Sequence, residues 1–284
     1  MNKLLISMGM LPKLVATNLE KYFSETVCME DHLESVQSIE DAEEKGQFLP
    51  LGELFNKPET YETIICIIDG SEDISGCCLT VLEYFKNQKI QILYLKPDLE
   101  YDSDTAKVNH KIVNQILQEK TRAGSFDRMY LIDIALVDKY IDNISISNYY
   151  EKVAESISTS FYNLLWIFDE KPIFGKMRKS NVINRISTIG FIDFKNNAIL
   201  PFYNLEMVRE NEFYILLGEK EVNEDNNLLK QIRKDVSSLT NSLDHDSVTI
   251  STSYGIYGTS YPRSFYYCKL NTNLVQESQY IKEH

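Results

Sequence analysis

The residues best placed to do chemistry sit in two glycine-bearing turns. Lys3-Leu4-Leu5-Ile6-Ser7 leads into Met8-Gly9-Met10-Leu11-Pro12, and Thr63-Ile64-Ile65-Cys66-Ile67-Ile68 leads into Asp69-Gly70-Ser71-Glu72-Asp73-Ile74-Ser75-Gly76. In each, a strand candidate passes through a turn into a helix candidate. Such a turn cradles a phosphate when its backbone N–H groups close on the anion, and glycine reaches the φ > 0 conformations this needs without steric cost. The second turn equally reads as a strand-to-helix connection capped by Ser75. Its Glu72 and Asp73 oppose phosphate, at a cost on the order of 1–4 kcal/mol per close charge pair at surface-like dielectric. A bridging Mg²⁺ would offset that repulsion. Pro12 is tolerated because it falls at a helix start.

Two further groups have two readings each. Lys176, Arg178 and Lys179, with Arg185 nearby, form either a solvated basic face or a contact for an acidic partner. Tyr149 and Tyr150 either stack on a purine or pack a helix. Many of the 18 tyrosines fall late in the chain (Tyr254, Tyr257, Tyr261, Tyr266, Tyr267), which fits a partner surface or strand propensity. The histidines, His32, His110, His245 and His284, are scattered and form no HExxH pair, so each is expected at the surface. The 5 cysteines lack CxxC spacing, and Cys66 lies in an apolar run as a small hydrophobe. Neither a disulfide framework nor a zinc site is expected.

The chain's bulk properties bound the rest. Its 284 residues suffice for one large domain or two modest ones. Acidic residues outnumber basic ones 42 to 29, and the net charge of −13 opposes nucleic acid and anionic lipid. Apolar runs stay short of the roughly 18 residues a membrane span needs, and the first residues lack a small-residue cleavage site. The expectation is a soluble, cytoplasmic protein with neither a nucleic-acid nor a membrane partner.

Strand candidates at 3–7, 26–29, 63–68, 90–95 and 129–134 alternate with helices at 11–19, 77–87 and 107–122, and the acidic stretch 30–62 reads as loops with short helices. That alternation predicts a doubly wound, mainly parallel sheet with ligands at the carboxyl ends of its strands, where both turns fall. A long helix over 148–168 carries an apolar stripe (Val153, Ile157, Phe161, Leu164, Leu165, Phe168). Beyond it the spacing predicts a short helix at 182–186, strands at 188–194 and 212–217, a helix at 224–239, and strands at 247–254 and 264–270 around a Gly255–Gly258 turn. The expected fold class is therefore α/β: a Rossmann-like domain (1–146), a connecting helix (147–170), a smaller α+β domain (171–270) and a polar tail (271–284).

In that order these parts resemble the tubulin/FtsZ superfamily. The family's signature loop, GGGTG[TS]G, follows a β-branched strand and opens a helix, and Gly70–Gly76 has its length, context and final Ser-Gly. The next strand ends in Lys96-Pro97, as in FtsZ. Setting Lys171-Pro172 on the Arg-Pro that ends the family's long helix puts Ala154-Glu155 on its Ala-Asp, whose carboxylate reads guanine. Residues 248–253 and 263–270 look like FtsZ's final strand pair.

The resemblance implies a site for GTP or GDP, with Mg²⁺, at Gly9, Gly70, Ser71, Ser75, Gly76 and Glu155, and head-to-tail self-association. Ser71, Glu72, Asp73 and Ile74 depart from the family's glycines and threonine. The family's hydrolytic Asn-x-Asp-x-x-Asp falls on Lys176, Arg178 and Asn181, and a cation cannot serve as the base that orients water. The implied function is self-assembly or protein docking without GTP hydrolysis. Glu72 and Asp73 of one copy would then meet Lys176, Arg178 and Lys179 of the next. The alternative is a polymerising GTPase hydrolysing at subunit contacts, with Glu170 or Asp193 as substitute acids. A Rossmann-like small-molecule enzyme lacks its GxGxxG. A membrane-tethered division ring is not expected, because only a polar tail follows Leu270.

Overall fold

The computed structural model describes residues 2–29, 39–55, 57–100, 102–141, 145–218, 221–222, 227–243, 250–261 and 263–276. The chain divides into two units, Met1–Thr159 with Leu274–His284, and Ser160–Asn273.

The first unit is built on five parallel strands: β1 (Lys3–Met8), β2 (Glu25–Met29), β3 (Thr63–Asp69), β4 (Lys89–Lys96) and β5 (Arg128–Asp133), in the order β2-β1-β3-β4-β5. Ile64–Ile68 and Ile92–Leu95 are at most 1% exposed, as strands covered on both faces require, and this is why they read as unbroken apolar runs. The crossovers are α1 (Met10–Leu19), α2 (Ile39–Gly46), α3 (Leu51–Leu54), α4 (Cys78–Tyr84) and α5 (Asp104–Ala123), with α6 (Ile134–Asp138) after β5. Residues 30–38 of the acidic stretch lie outside the described residues.

Local chemistry fixes α5 at both ends. The Ser103 hydroxyl accepts the Ala106 N–H, Asp104 complements the first turn and Lys120 and Arg122 the last, and Gly124 closes the helix at φ 93. Its buried face is mostly polar: Asn109, His110, Asn114, Gln118 and Thr121 share it with Val113 and Leu117. Gln118 reaches the expected tail. It donates to the Gln276 carbonyl at 3.1 Å and accepts the Gln276 N–H at 2.7 Å, so the chain is pinned at Gln276. The long helix is α7 (Tyr149–Asp169), with Val153, Ala154, Ile157, Phe161, Leu164 and Ile167 buried.

The second unit holds β6 (Phe174–Lys176), β7 (Ile186–Asp193), β8 (Ala198–Pro201), β9 (Glu210–Gly218), β10 (Ser251–Thr259) and β11 (Phe265–Thr272), with α8 (Leu228–Leu243). The order is β7-β11-β9-β10-β6, with β8 on β7. Phe213, Ile215 and Leu217 from β9 pack with Ile232, Val236 and Leu239 from α8.

Two expectations are corrected here. No closing hairpin forms: β10 runs straight through Gly255 and Gly258, and β9 lies between β10 and β11, parallel to one and antiparallel to the other. Gly255 serves space rather than turning, since a Cβ there would meet the Tyr257 ring at 2.9 Å. The short helix at 182–186 is absent as well. The Asn181 side chain accepts the Ile183 N–H at 3.2 Å and its carbonyl accepts the Asn184 N–H, closing one turn before β7 begins. Of the late tyrosines, Tyr257 and Tyr267 are core residues and Tyr261 is exposed.

Candidate functional site

β1 and β3 are neighbours and parallel, so their carboxyl ends bring the two glycine turns together. Gly9 has φ +110, and a Cβ there would lie 2.6 Å from Glu72 Cγ. That close approach has a purpose. Glu72 Oε1 accepts the Met10 N–H at 3.2 Å, placing a carboxylate on the amino end of α1, where the unpaired N–H groups and the helix dipole favour an anion.

The turn itself is closed. Asp69 Oδ1 accepts from the Ser71 N–H at 3.0 Å and the Ser71 hydroxyl at 2.9 Å. The Asn109 amide donates to Gly70 O at 3.0 Å, Glu72 O at 2.9 Å and Ser75 Oγ at 3.0 Å. Asp73–Cys77 form a 3-10 helix, and Ser75, fully buried, turns its hydroxyl back to the Glu72 carbonyl at 2.7 Å. Ser75 is therefore a staple inside the turn; the residue before α4 is Cys77, without a side-chain cap. Gly70 is required by space, since a Cβ would overlap the Tyr94 hydroxyl at 1.9 Å. The N–H groups of Met10, Gly70, Ser71 and Ser75 are all engaged within the protein.

Beneath it, the Tyr94 hydroxyl meets His110 Nδ1 at 2.8 Å. His110, expected at the surface, is 1% exposed. Burial, with the Lys96 charge, pushes its pKa down to about 4, so the ring is neutral at physiological pH. The Lys96 ammonium is itself paired with Asp133 at 2.6 Å.

The surroundings are acidic. Burial pushes the Asp69 carboxyl up to about 6, with Glu72 and Asp102 adding to the effect and the Ser71 hydrogen bonds opposing it. Asp102 is raised too, by burial and by Asp98, against Lys107. Because Asp69 holds its proton more tightly folded than unfolded, the stability that proton confers is full below about pH 4 and is lost as pH rises to about 6. Asp69→Asn keeps an oxygen for Ser71, so it is expected to raise stability at pH 7.5 by on the order of 2 kcal/mol and to leave it unchanged at pH 4. Denaturant unfolding at the two pH values checks this. Among the described residues, no group of three or more His, Cys, Asp or Glu side chains could hold a metal ion.

Thus Gly9, Gly70, Ser71, Glu72, Asp73, Ser75 and Gly76 meet in one place. Glu155 is exposed on α7 and paired with Lys152 at 2.6 Å. Tyr149 and Tyr150 pack edge to face, 5.3 Å between centroids. In the second unit, Lys176 ends β6, Arg178 donates to Ser251 Oγ at 2.9 Å, and all three basic residues are exposed. Asn109 and His110 were missed in the sequence; their signal was polar side chains recurring at core spacing along α5.

No protein-family model matches this chain, and no curated protein matches it. Solved structures do. The GTPγS-bound CetZ2 protofilament from Haloferax volcanii matches with TM-score 0.60 at 13% identity, over 95% of this chain and 92% of that one. The empty FtsZ dimer from M. jannaschii matches with TM-score 0.64 at 11% identity, over 96% and 88%. The GTPγS-form TubZ protofilament of Bacillus thuringiensis serovar israelensis matches with TM-score 0.64 at 13% identity, over 99% and 88%. The chain has a tubulin/FtsZ-like fold. No helix among the described residues is long and apolar enough to cross a membrane.

Proposed function

We propose that this chain is a cytoplasmic, tubulin-like self-assembly protein that associates head to tail and does not hydrolyse GTP. The carrying observation is the Glu72 carboxylate on the Met10 N–H: the protein's own anion holds the helix end that a phosphate would take. Asn109 ties the turn shut, and the acidic rim of Asp69, Asp98 and Asp102 repels a nucleotide further. Lys176, Arg178 and Asn181 stand where the resemblance implies the hydrolytic Asn and two Asp residues. Self-association is supported by structural neighbours that are themselves protofilaments. Head-to-tail contacts propagate, and the exposed cations of the second unit match the acidic rim of the first in charge.

Thermal unfolding with and without GTP, GDP and Mg²⁺ tests the ligand half. A ligand bound only by the folded state at 100 times its Kd adds about 2.7 kcal/mol. No shift is expected at millimolar nucleotide. The second reading, a GTP-binding polymerising GTPase, is favoured by the GTPγS in the CetZ2 and TubZ structures; an upward shift, with turnover rising with protein concentration, would establish it.

Light scattering tests the assembly half. Asp73→Lys leaves Glu72 in place and is expected to abolish assembly, and adding Lys179→Glu in the same chain is expected to restore part of it. Assembly of the single variant at the wild-type concentration would remove the charge-exchange contact.

A further inference from the structure

The carboxyl half of α5 buries amides where a helix packed on a sheet ordinarily buries apolar side chains. Beyond Asn109 and His110, its covered face continues with Asn114, Gln118 and Thr121, which are 4%, 0% and 0% exposed. Thr121 is satisfied within its own helix, its hydroxyl donating to the Leu117 carbonyl at 2.7 Å. Gln118 reaches further. Its Nε2 donates to Asn114 Oδ1 and to the Gln276 carbonyl, both at 3.1 Å, and its Oε1 accepts the Gln276 N–H at 2.7 Å. Every hydrogen-bonding group of that amide is engaged.

Both contacts to Gln276 are to its main chain. A side-chain amide that gives an N–H to a carbonyl and takes an N–H from the same residue reproduces the exchange made by a hydrogen-bonded pair in an antiparallel ladder. It therefore reads extended backbone, whatever side chain that backbone carries. The Gln276 side chain is used locally and donates to the Leu274 carbonyl at 2.9 Å. The apolar side chains before it are not seated in a groove: Leu274 is 36% exposed and Val275 half-buried.

This way of holding a segment is suited to letting it go. A permanently packed segment gains most from apolar burial, which is large and non-directional. Two hydrogen bonds add little net stability, because water replaces them when they break. The groups freed on release are amides and a peptide unit, all of which water serves as well, so opening leaves no buried polar group stranded.

We propose that residues 274–276 are a releasable strap, and that Asn114 and Gln118 form the backbone-reading clamp on α5 that the strap fills. The site takes an extended peptide main chain, and its occupant is this chain's own segment after β11. While docked, the strap keeps a sequence-tolerant peptide site closed; release uncovers it.

Amide exchange of the full chain along a denaturant series tests this. In the wild type the Gln276 amide is expected to exchange at least about a hundredfold faster than that of Ile67 in β3, with almost no denaturant dependence, as a local opening requires. Gln118→Leu removes both contacts and is expected to speed Gln276 exchange about tenfold or more, with Ile67 exchange and the unfolding midpoint nearly unchanged. Gln118→Asn, one methylene too short to reach, is expected to do the same and serves if the leucine variant does not fold. Gln276 exchange as slow as that of Ile67, with the same denaturant slope, would make the segment part of the cooperative core and overturn the strap. Wild-type exchange at the rate of an unstructured peptide would mean that nothing is docked, and would overturn strap and clamp together. Unchanged Gln276 exchange in a folded Gln118 variant would overturn the clamp.

Discussion

Lys269→Met alone is expected to destabilise the second unit by about 3–5 kcal/mol, the largest effect of any single substitution considered for this protein. The reason is the partner it leaves behind. Glu212 is 6% exposed, and with Lys269 gone its charge keeps only the neutral donors Ser180, Tyr214 and Asn271. Burial pushes the Glu212 carboxyl up, but the Lys269 charge and the hydrogen bonds from Ser180, Tyr214 and Lys269 outweigh it and hold the pKa below its ordinary value. A depressed carboxyl contributes stability that is present above its unfolded value, near pH 4.5, and is lost as pH falls through the folded one. The wild type should therefore lose this contribution below pH 4.5, whereas Lys269→Met should already lack it at pH 7. Replacing both partners by leucine is expected to cost far less than the single change, because no charge is stranded. Denaturant midpoints of the three proteins at pH 7 decide it: a single variant no less stable than the double would mean that water, not Lys269, satisfies Glu212.

Asn109→Ala is expected to cost about 2–3 kcal/mol and to open the 70–76 turn. Two amide hydrogens serve three acceptors, the carbonyls of Gly70 and Glu72 and the Ser75 hydroxyl, and the contacts to Gly70 and Ser75 are buried away from water. Leaving a buried acceptor unsatisfied costs roughly 1–3 kcal/mol, and sharing hydrogens makes the sum less than three full bonds. The Asn109 Oδ1 has no partner of its own, so its removal returns a little. Asn109→Asp should be worse than alanine, since it offers no donor and adds a carboxylate beside Asp69 and Glu72. Unfolding free energies, with amide exchange at Ser75, provide the check. An alanine variant within about 0.5 kcal/mol of wild type would mean that Ser75 and the Glu72 side chain hold the turn unaided.

These two sites show where sequence reasoning reached and where it stopped. The parallel sheet was legible because strands covered on both faces must be apolar throughout, as 64–68 and 92–95 are. The long helix was legible because its stripe repeats at helical spacing. The glycine turns were located correctly, since a strand-to-helix change of period marks them. Within them, Glu72 read as a charge opposing phosphate and facing a neighbour, and the fold sets its carboxylate on the Met10 N–H as well. No local pattern specifies that contact, because it joins residues 62 positions apart through the pairing of β1 with β3.

In the second unit the late strands were located, but their neighbours were not. Nearness in sequence suggested a hairpin for β10 and β11, and the placement of β9 between them depends on which strands bury the face packed by α8. The same ladder register sets Lys269 opposite Glu212, a pairing of two ordinary surface residue types that no spacing rule would select. Sequence by itself determined the strand and helix alternation of the first unit, the long helix, the fold class and the acidic character of the turn after β3, because periodicity, β-branched runs and charge are properties of single segments; the short strands β6 and β8 carry too few residues to show a period. Tertiary structure alone decided that Glu72 accepts the Met10 N–H and that a buried charge pair anchors the basic segment, because both arise where segments distant in the chain come together.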